Sequence, residues 1–160
     1  MNTQNLEEIY TKIAEQIDYM ILEEWSKVYA YSEVVEDVAK AYFYYYPVNG
    51  ENQPVYSQNI PELFDIDENE FDMDLLKLVD CFRELWQEFK NDGQEPWTNL
   101  TLILESDGKF KFEYDYTDLS EASPRKQHII WKYKYLNITP TDEYGKKVVE
   151  EYIKSITENK

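Results

Sequence analysis

From Asn5 to Ile21 the apolar positions recur at steps of three and four. Leu6, Ile9, Tyr10, Ile13, Ile17, Met20 and Ile21 share one face, while Glu7, Glu8, Lys12, Glu15 and Asp18 lie on others, the period of an amphipathic helix. Asn5 with Glu8 three residues later resembles a capping box, so the helix is expected to start there. After Trp25 the period changes. Lys27–Val34 and Val38–Tyr46 are rich in Val, Tyr and Phe and are separated by the charged pair Glu36–Asp37, which predicts two antiparallel strands. In the second strand Ala39, Ala41, Phe43 and Tyr45 share one face, and Lys40, Tyr42, Tyr44 and Tyr46 the other. Pro47 ends the pairing and Asn49–Gly50 marks a turn. Pro54–Ile60 reads as a third, short edge strand, because Pro54 has no N–H for a ladder.

A second helix is expected from about Glu68 to Lys90, with Phe71, Leu75, Leu78, Val79, Phe82, Leu85, Trp86 and Phe89 as its apolar stripe. Asp67 with Glu70 offers its cap, the acidic first turn suits the helix dipole, and Asn91–Asp92–Gly93 stops it. Thr98–Glu105 and Lys109–Tyr116 then alternate as two strands. Leu100, Leu102 and Leu104, and Phe110, Phe112, Tyr114 and Tyr116, form their apolar sides. Asp107–Gly108 reads as a two-residue hairpin turn. Ser123–Pro124 opens a helix running to about Leu136, with Pro at its first position. Thr139–Pro140 opens the last helix, which turns Tyr144, Val148, Val149, Tyr152, Ile153 and Ile156 inward. The pattern is that of an α+β protein. An antiparallel sheet of about four to five strands carries N-terminal, central and C-terminal helices packed on it. No repeat, linker or low-complexity segment divides the chain, which reads as a single domain over 1–160.

Composition agrees with a packed core: hydrophobic residues make up 42% of the 160, and 15 are Tyr. Tyrosines of that number suit sheet faces and contact surfaces. Charge changes the picture more. Residues 1–80 hold 18 Asp and Glu against 4 Lys and Arg, net −14, and residues 81–160 hold 15 against 12, net −3. An acidic field of this size disfavours direct contact with nucleic-acid phosphates. It favours either solubility or the steering of a basic partner. The densest acidic run is Glu62, Asp65, Asp67, Glu68, Glu70, Asp72 and Asp74, with no basic residue among them. It serves as a solvated helix start or as a patch that docks against Lys and Arg.

Candidate chemistry is sparse. His128 is the single histidine and falls in a predicted helix beside Ile129 and Ile130, so a structural or surface role is expected. Cys81 is the single cysteine; no intrachain disulfide and no paired-cysteine metal site can form, and a buried, inert thiol is expected. Four glycines build no phosphate loop. Asp65-Ile66-Asp67-Glu68-Asn69-Glu70 begins like a calcium-binding loop. It departs at the sixth position, where Glu70 replaces Gly, and at the twelfth, where Leu76 replaces Glu. No catalytic residue, metal or cofactor is assigned, and the chain reads as no enzyme. The opening MNTQNLEEIY lacks a basic region followed by an apolar run, and no apolar stretch reaches the ~20 residues of a membrane span. A cytoplasmic location is expected.

Several segments, in this order, carry a resemblance. Glu24-Trp25-Ser26-Lys27-Val28-Tyr29 follows the first helix, and Asn59-Ile60-Pro61 follows the Tyr-rich strands. Leu85-Trp86-Gln87-Glu88-Phe89 lies in the second helix, before Glu95-Pro96-Trp97-Thr98. Phe112-Glu113-Tyr114-Asp115-Tyr116 ends the hairpin, and Trp131-Lys132-Tyr133-Lys134-Tyr135 precedes Ile138-Thr139-Pro140. Together they resemble the YezG/EsaG-like antitoxins of Firmicutes over nearly the whole chain. The resemblance implies an immunity function against nuclease toxins exported by the type VII secretion pathway, with no catalytic motif. Glu95-Pro96-Trp97 reads as structural: Pro96 fixes the entry to the hairpin and Trp97 packs at its base.

The leading expectation is therefore an immunity protein that neutralises a cognate toxin with a basic active-site groove. Charge nominates Glu62, Asp65, Asp67, Glu68, Glu70, Asp72 and Asp74 for toxin contact. Exposed aromatics nominate Tyr42 and Tyr44. An acidic adaptor or chaperone for a basic client is the alternative, and a small enzyme of unassigned chemistry the third reading. Tyr-rich strands with an open edge also suit a homodimer.

Overall fold

The computed structural model describes residues 3–50 and 52–158. The chain forms two compact units, Met1–Thr117 and Asp118–Lys160. In the first, α1 (Thr3–Met20) leads into β1 (Trp25–Val35) and β2 (Val38–Pro47). A two-residue β3 (Val55–Tyr56), a 3-10 turn (Ser57–Asn59) and the short α2 (Ile60–Leu63) follow. Then come α3 (Glu68–Asn91), β4 (Asn99–Glu105) and β5 (Phe110–Asp115). Among the described residues these strands form one antiparallel sheet in the order β3-β2-β1-β4-β5. The architecture is α+β, as the hydrophobic pattern predicts.

The central strand sets the sheet's two faces. Val28, Ala30, Ser32 and Val34 of β1 stand opposite Tyr45, Phe43, Ala41 and Ala39 of β2. On the other side Val28, Ala30 and Ser32 stand opposite Leu104, Leu102 and Leu100 of β4. These residues face the core, where they meet Ile13 and Ile17 of α1 and Leu78, Phe82 and Leu85 of α3, all fully buried. The Ser32 hydroxyl placed among them donates to the Lys40 carbonyl at 3.0 Å, which removes the cost of an unpaired buried group. Asn5, Lys12 and Gln16 of α1 reach Glu88, Glu84 and the Asp74 carbonyl of α3 in turn, so the two helices run antiparallel.

Several boundaries differ from those read in the sequence. α1 is already helical at Thr3, and Asn5 lies inside it with its amide directed at Glu88 (3.4 Å) rather than capping its own helix. Pro54–Ile60 does not form a strand of that length. β3 stops at Tyr56 because Pro61 suits the first turn of α2, and the Ser57 hydroxyl takes the Phe43 N–H (3.1 Å) that a longer strand would have paired. The hairpin loop has three residues, Ser106, Asp107 and Gly108, closed by Glu105 N–H to the Lys109 carbonyl (2.8 Å). Gly108 takes φ +96°, the left-handed position such loops require. A two-residue loop at Asp107–Gly108 would have set Leu104 opposite Lys111, whereas the observed loop sets it opposite Phe110.

The second face of the sheet carries an aromatic cluster. Tyr31 of β1 stacks on Tyr42 of β2 (5.1 Å between ring centres), and Tyr44 stacks on Tyr56 of β3 (4.7 Å). Tyr31 donates to Glu33 and, from the core face, Tyr45 donates to Glu23, both at 2.6 Å. Burial, followed by these carboxylates, pushes the Tyr31 and Tyr45 phenols well above their usual value. Burial does the same for Tyr42, Tyr44 and Tyr114.

The second unit is a helical hairpin, α4 (Pro124–Leu136) and α5 (Glu143–Glu158). Ser123 caps α4 by accepting from Lys126 N–H, and Asn137 ends it in the left-handed region at φ 56°. α5 begins at Glu143 rather than at Thr139–Pro140, because Asp142 accepts the Gly145 N–H (2.9 Å) and so takes the capping position. Tyr144, Ile153 and Ile156, expected inward, are exposed; Val148 and Val149 are buried. A Cβ at Gly145 would sit 2.4 Å from Pro140 Cβ and 2.8 Å from Asp142 Oδ1.

Two outcomes follow from this packing. Tyrosines with raised folded-state values bind protons that the unfolded chain gives up near its ordinary phenol value of 10.0. Their contribution is complete below pH 10 and is lost as pH climbs toward the folded values, so urea stability is expected to fall steadily above pH 10. A flat stability profile there, with phenol absorbance rising in the folded protein, would contradict the burial of these rings. Helix propensity alone predicts that Gly145→Ala gains up to ~1 kcal/mol. The clash with Pro140 outweighs it, and a loss of about 1–3 kcal/mol is expected in urea unfolding followed by helical circular dichroism.

Candidate interaction site

The acidic run is held out by an apolar underside. Ile60 and Phe71 are buried, and Phe64 and Ile66 pack against the same core. The chain between them is pinned by Phe64 N–H to the Ile60 carbonyl (3.0 Å) and Ile66 N–H to the Pro61 carbonyl (2.9 Å). Asp65 turns the chain in the left-handed region at φ 52°, which Asp tolerates better than most residues. Asp67 then caps α3: its Oδ1 accepts from Asn69 N–H at 3.0 Å. Glu68 and Glu70 fill the first helical turn, where carboxylates meet the positive end of the helix dipole. The segment that begins like a calcium loop is thus a helix start.

Of the nominated carboxylates, Glu62, Asp65, Asp67, Glu68, Glu70 and Asp72 are exposed. Asp74 is half-buried, and its carbonyl is taken by Gln16 of α1. Among the described residues none of the seven enters an ion pair. The run is therefore not consumed by internal salt bridges, and its charge is available to solvent or to a partner.

Exposed apolar side chains that the stripe reading passed over stand in the same stretch. Met73 and Leu76 are 66% and 58% exposed, and Leu63 of α2 is 60% exposed. With Phe71, Leu78, Phe82 and Leu85 facing the core, the 3.6-residue period places Met73, Leu76 and Asp80 on the opposite side of α3. That offset was the available signal: two large apolar residues set off a helix's own stripe. An apolar centre with a charged surround is the usual anatomy of a protein interface.

Tyr42 and Tyr44, nominated as exposed aromatics, are 8% and 5% exposed. Cross-strand pairing sets Tyr42 opposite Tyr31 and Tyr44 opposite Tyr56, and the rings pack against one another in a cluster. Polarity alone does not distinguish a phenol on a wet face from one in such a cluster.

Elsewhere the chemistry stays sparse. His128 lies half-buried within α4. Cys81 is half-buried rather than fully buried, packed beside the core on α3, and burial pushes its thiol up, away from the reactive thiolate. Trp97 is fully buried against Tyr114 at 6.2 Å, the structural position expected of it at the hairpin's base. Among the described residues no three His, Cys, Asp or Glu side chains come together as a metal site, and no helix is long and apolar enough to cross a membrane.

Known proteins resemble the chain along almost all of its length. The family model "Immunity protein YezG-like" matches residues 6–150. Immunity protein YezG of Bacillus spizizenii is 38% identical over 157 residues, covering 97% of each chain. Its namesake in Bacillus subtilis is 37% identical over 92% of this chain and 99% of its own. Type VII secretion system protein EsaG of Staphylococcus aureus is 34% identical over 97% of this chain and 98% of its own. The chain belongs to the YezG-like immunity protein family.

Proposed function

We propose that this protein is a non-enzymatic antitoxin. It acts in the cytoplasm, where it binds and neutralises a cognate nuclease toxin of a type VII secretion system. Its membership of the immunity family supports the role, and the name of the staphylococcal relative supports the secretion pathway. The observation that carries the reading is the α2–α3 stretch, a run of exposed carboxylates that among the described residues enter no ion pair, with exposed Leu63, Met73 and Leu76 in the same stretch. A nuclease presents cations to its phosphate substrate, so the inhibitor's field is opposite to the toxin's. The carboxylates speed encounter, and the apolar side chains hold the complex once formed. The family match spans both units, and we take the whole of 1–160 as one immunity domain.

Association with a toxin recovered by co-purification tests this reading. Asp65→Asn, Asp67→Asn, Glu68→Gln and Glu70→Gln together remove four charges, and an Asn side chain at position 67 still caps α3. The combined variant is expected to associate about tenfold more slowly at low salt, with a flatter salt dependence. An unchanged on-rate at both low and moderate salt would return the run to a helix cap and solubilising surface. Absence of catalysis has its own check. His128→Gln and Cys81→Ser are expected to leave protection against the toxin intact while the fold is retained. Loss of protection in a folded His128→Gln protein would reopen a histidine-based chemistry.

A further inference from the structure

β5 ends the sheet, and its hydrogen-bonding phase can be followed from both ends. Glu105 N–H bonds the Lys109 carbonyl (2.8 Å) and Thr98 N–H bonds the Asp115 carbonyl (2.9 Å). Lys111, Glu113 and Asp115, and Lys109 through its carbonyl, therefore direct their backbone groups toward β4. By the alternation of an antiparallel ladder, Phe110, Phe112 and Tyr114 direct theirs away from the sheet. No strand pairs with that side among the described residues. α1 does not close it: Tyr10 lies over the core face, stacked on Phe112 at 4.4 Å and bonded to the Tyr114 hydroxyl at 2.9 Å. Such an edge templates the addition of another strand unless its residues oppose it.

The order of charges along this edge selects the strand that fits. We propose that the occupant is β5 of a second copy, paired antiparallel about a two-fold axis through Phe112, so that two five-stranded sheets become one. In that register Lys111 stands opposite the second copy's Glu113, and Lys109 opposite its Asp115, each twice by symmetry. Phe112 meets its own copy, and Phe110 meets Tyr114. Shifting the axis by one residue to Lys111 sets Lys111 against itself, and shifting it to Glu113 sets Glu113 against itself. Only the register centred on Phe112 opposes every charge with its opposite. It is also a hydrogen-bonded register, because Phe112 is a residue whose backbone groups point outward. Lys111 is 70% and Glu113 38% exposed, and within one chain they already approach at 3.8 Å on one face. The second copy adds a partner for each. Phe110, 51% exposed, gains an aromatic neighbour. The stretch Lys109–Asp115 carries two positive and two negative charges, so it is a neutral seam in a first unit that is otherwise strongly acidic.

Sedimentation equilibrium on the full chain, at near-physiological salt, tests the proposal. Wild type is expected to pass from monomer to dimer between about 1 µM and about 1 mM. Lys111→Glu, which sets a carboxylate against Glu113 of the second copy twice over, is expected to raise the dimer Kd about tenfold or more, and Glu113→Lys to do the same. Lys111→Glu combined with Glu113→Lys restores each pairing with its sign reversed, and Kd is expected to return to within about threefold of wild type. Amide exchange supplies a measurement that needs no variant: the Phe112 and Tyr114 amides are expected to slow as concentration rises through the dimer range. Four outcomes would overturn the proposal. These are a wild type that stays monomeric, a dimer indifferent to both single changes, a folded double variant that fails to recover, and edge amides protected only when a toxin is added.

Discussion

The pleat of β1 is the constraint on which the rest of the first unit depends. It is the central strand, paired on both sides, so its phase is imposed on β2 and β4 together. Val28, Ala30, Ser32 and Val34 face the helices, while Lys27, Tyr29, Tyr31 and Glu33 face away. A slip by one residue would drive Lys27 and Glu33 into a core whose side chains have almost no exposure, a cost no local gain could offset. With that face fixed, α3 must turn Phe71, Leu78, Phe82 and Leu85 toward the sheet. Its opposite side, with Met73 and Leu76, is then committed to solvent. The candidate interaction site is thus a consequence of sheet register, transmitted through one helix.

Charge follows the division of the chain as well. By sequence the first unit, 1–117, has 26 acidic against 8 basic residues, and the second, 118–160, has 7 against 8. Ion pairs do little to relieve the first: Lys12–Glu84 and Lys90–Glu36 lie at the surface, where such pairs contribute about 0–1 kcal/mol each, and the half-buried Lys40–Glu33 pair is long at 3.6 Å. Apolar burial must outweigh the repulsion. A shared core of Ile, Leu, Val and Phe from α1, α3 and three strands supplies it. Within the acidic run Asp67 caps α3, Asp65 turns the chain and Glu68 and Glu70 meet the helix dipole, yet among the described residues none of these carboxylates is held in an ion pair. A side chain with no internal partner can meet an external one without the fold losing anything.

Much of this was legible in the sequence, and the exceptions share a cause. The long helices and the four main strands follow from a hydrophobic period repeated over many residues, where single ambiguities average out. The boundaries that moved were set by one or two groups acting across the fold. Ser57 catching the Phe43 N–H shortened β3, and Asp142 holding Gly145 N–H delayed α5. The hairpin loop is instructive because the strands on either side held the answer: Leu104 can face Phe110 only if three residues, not two, make the turn. Turn chemistry favoured Asp-Gly as a pair, and the larger hydrophobic pattern overrode it.

The site divided along the same line. Carboxylates could be nominated from sequence because exposure is their default, and six of the seven are exposed. Tyr42 and Tyr44 could not be placed in that way. A tyrosine on the second face of a sheet is wet or covered according to what packs around it, which its own strand does not state; here Tyr31 and Tyr56 are among the rings beside them. Met73 and Leu76 were missed for the complementary reason. Reading a helix for its stripe sets aside the apolar residues outside it, although those are the ones a binding protein must explain. The residues that break the local pattern are therefore the informative ones, because the fold itself does not require them where they stand.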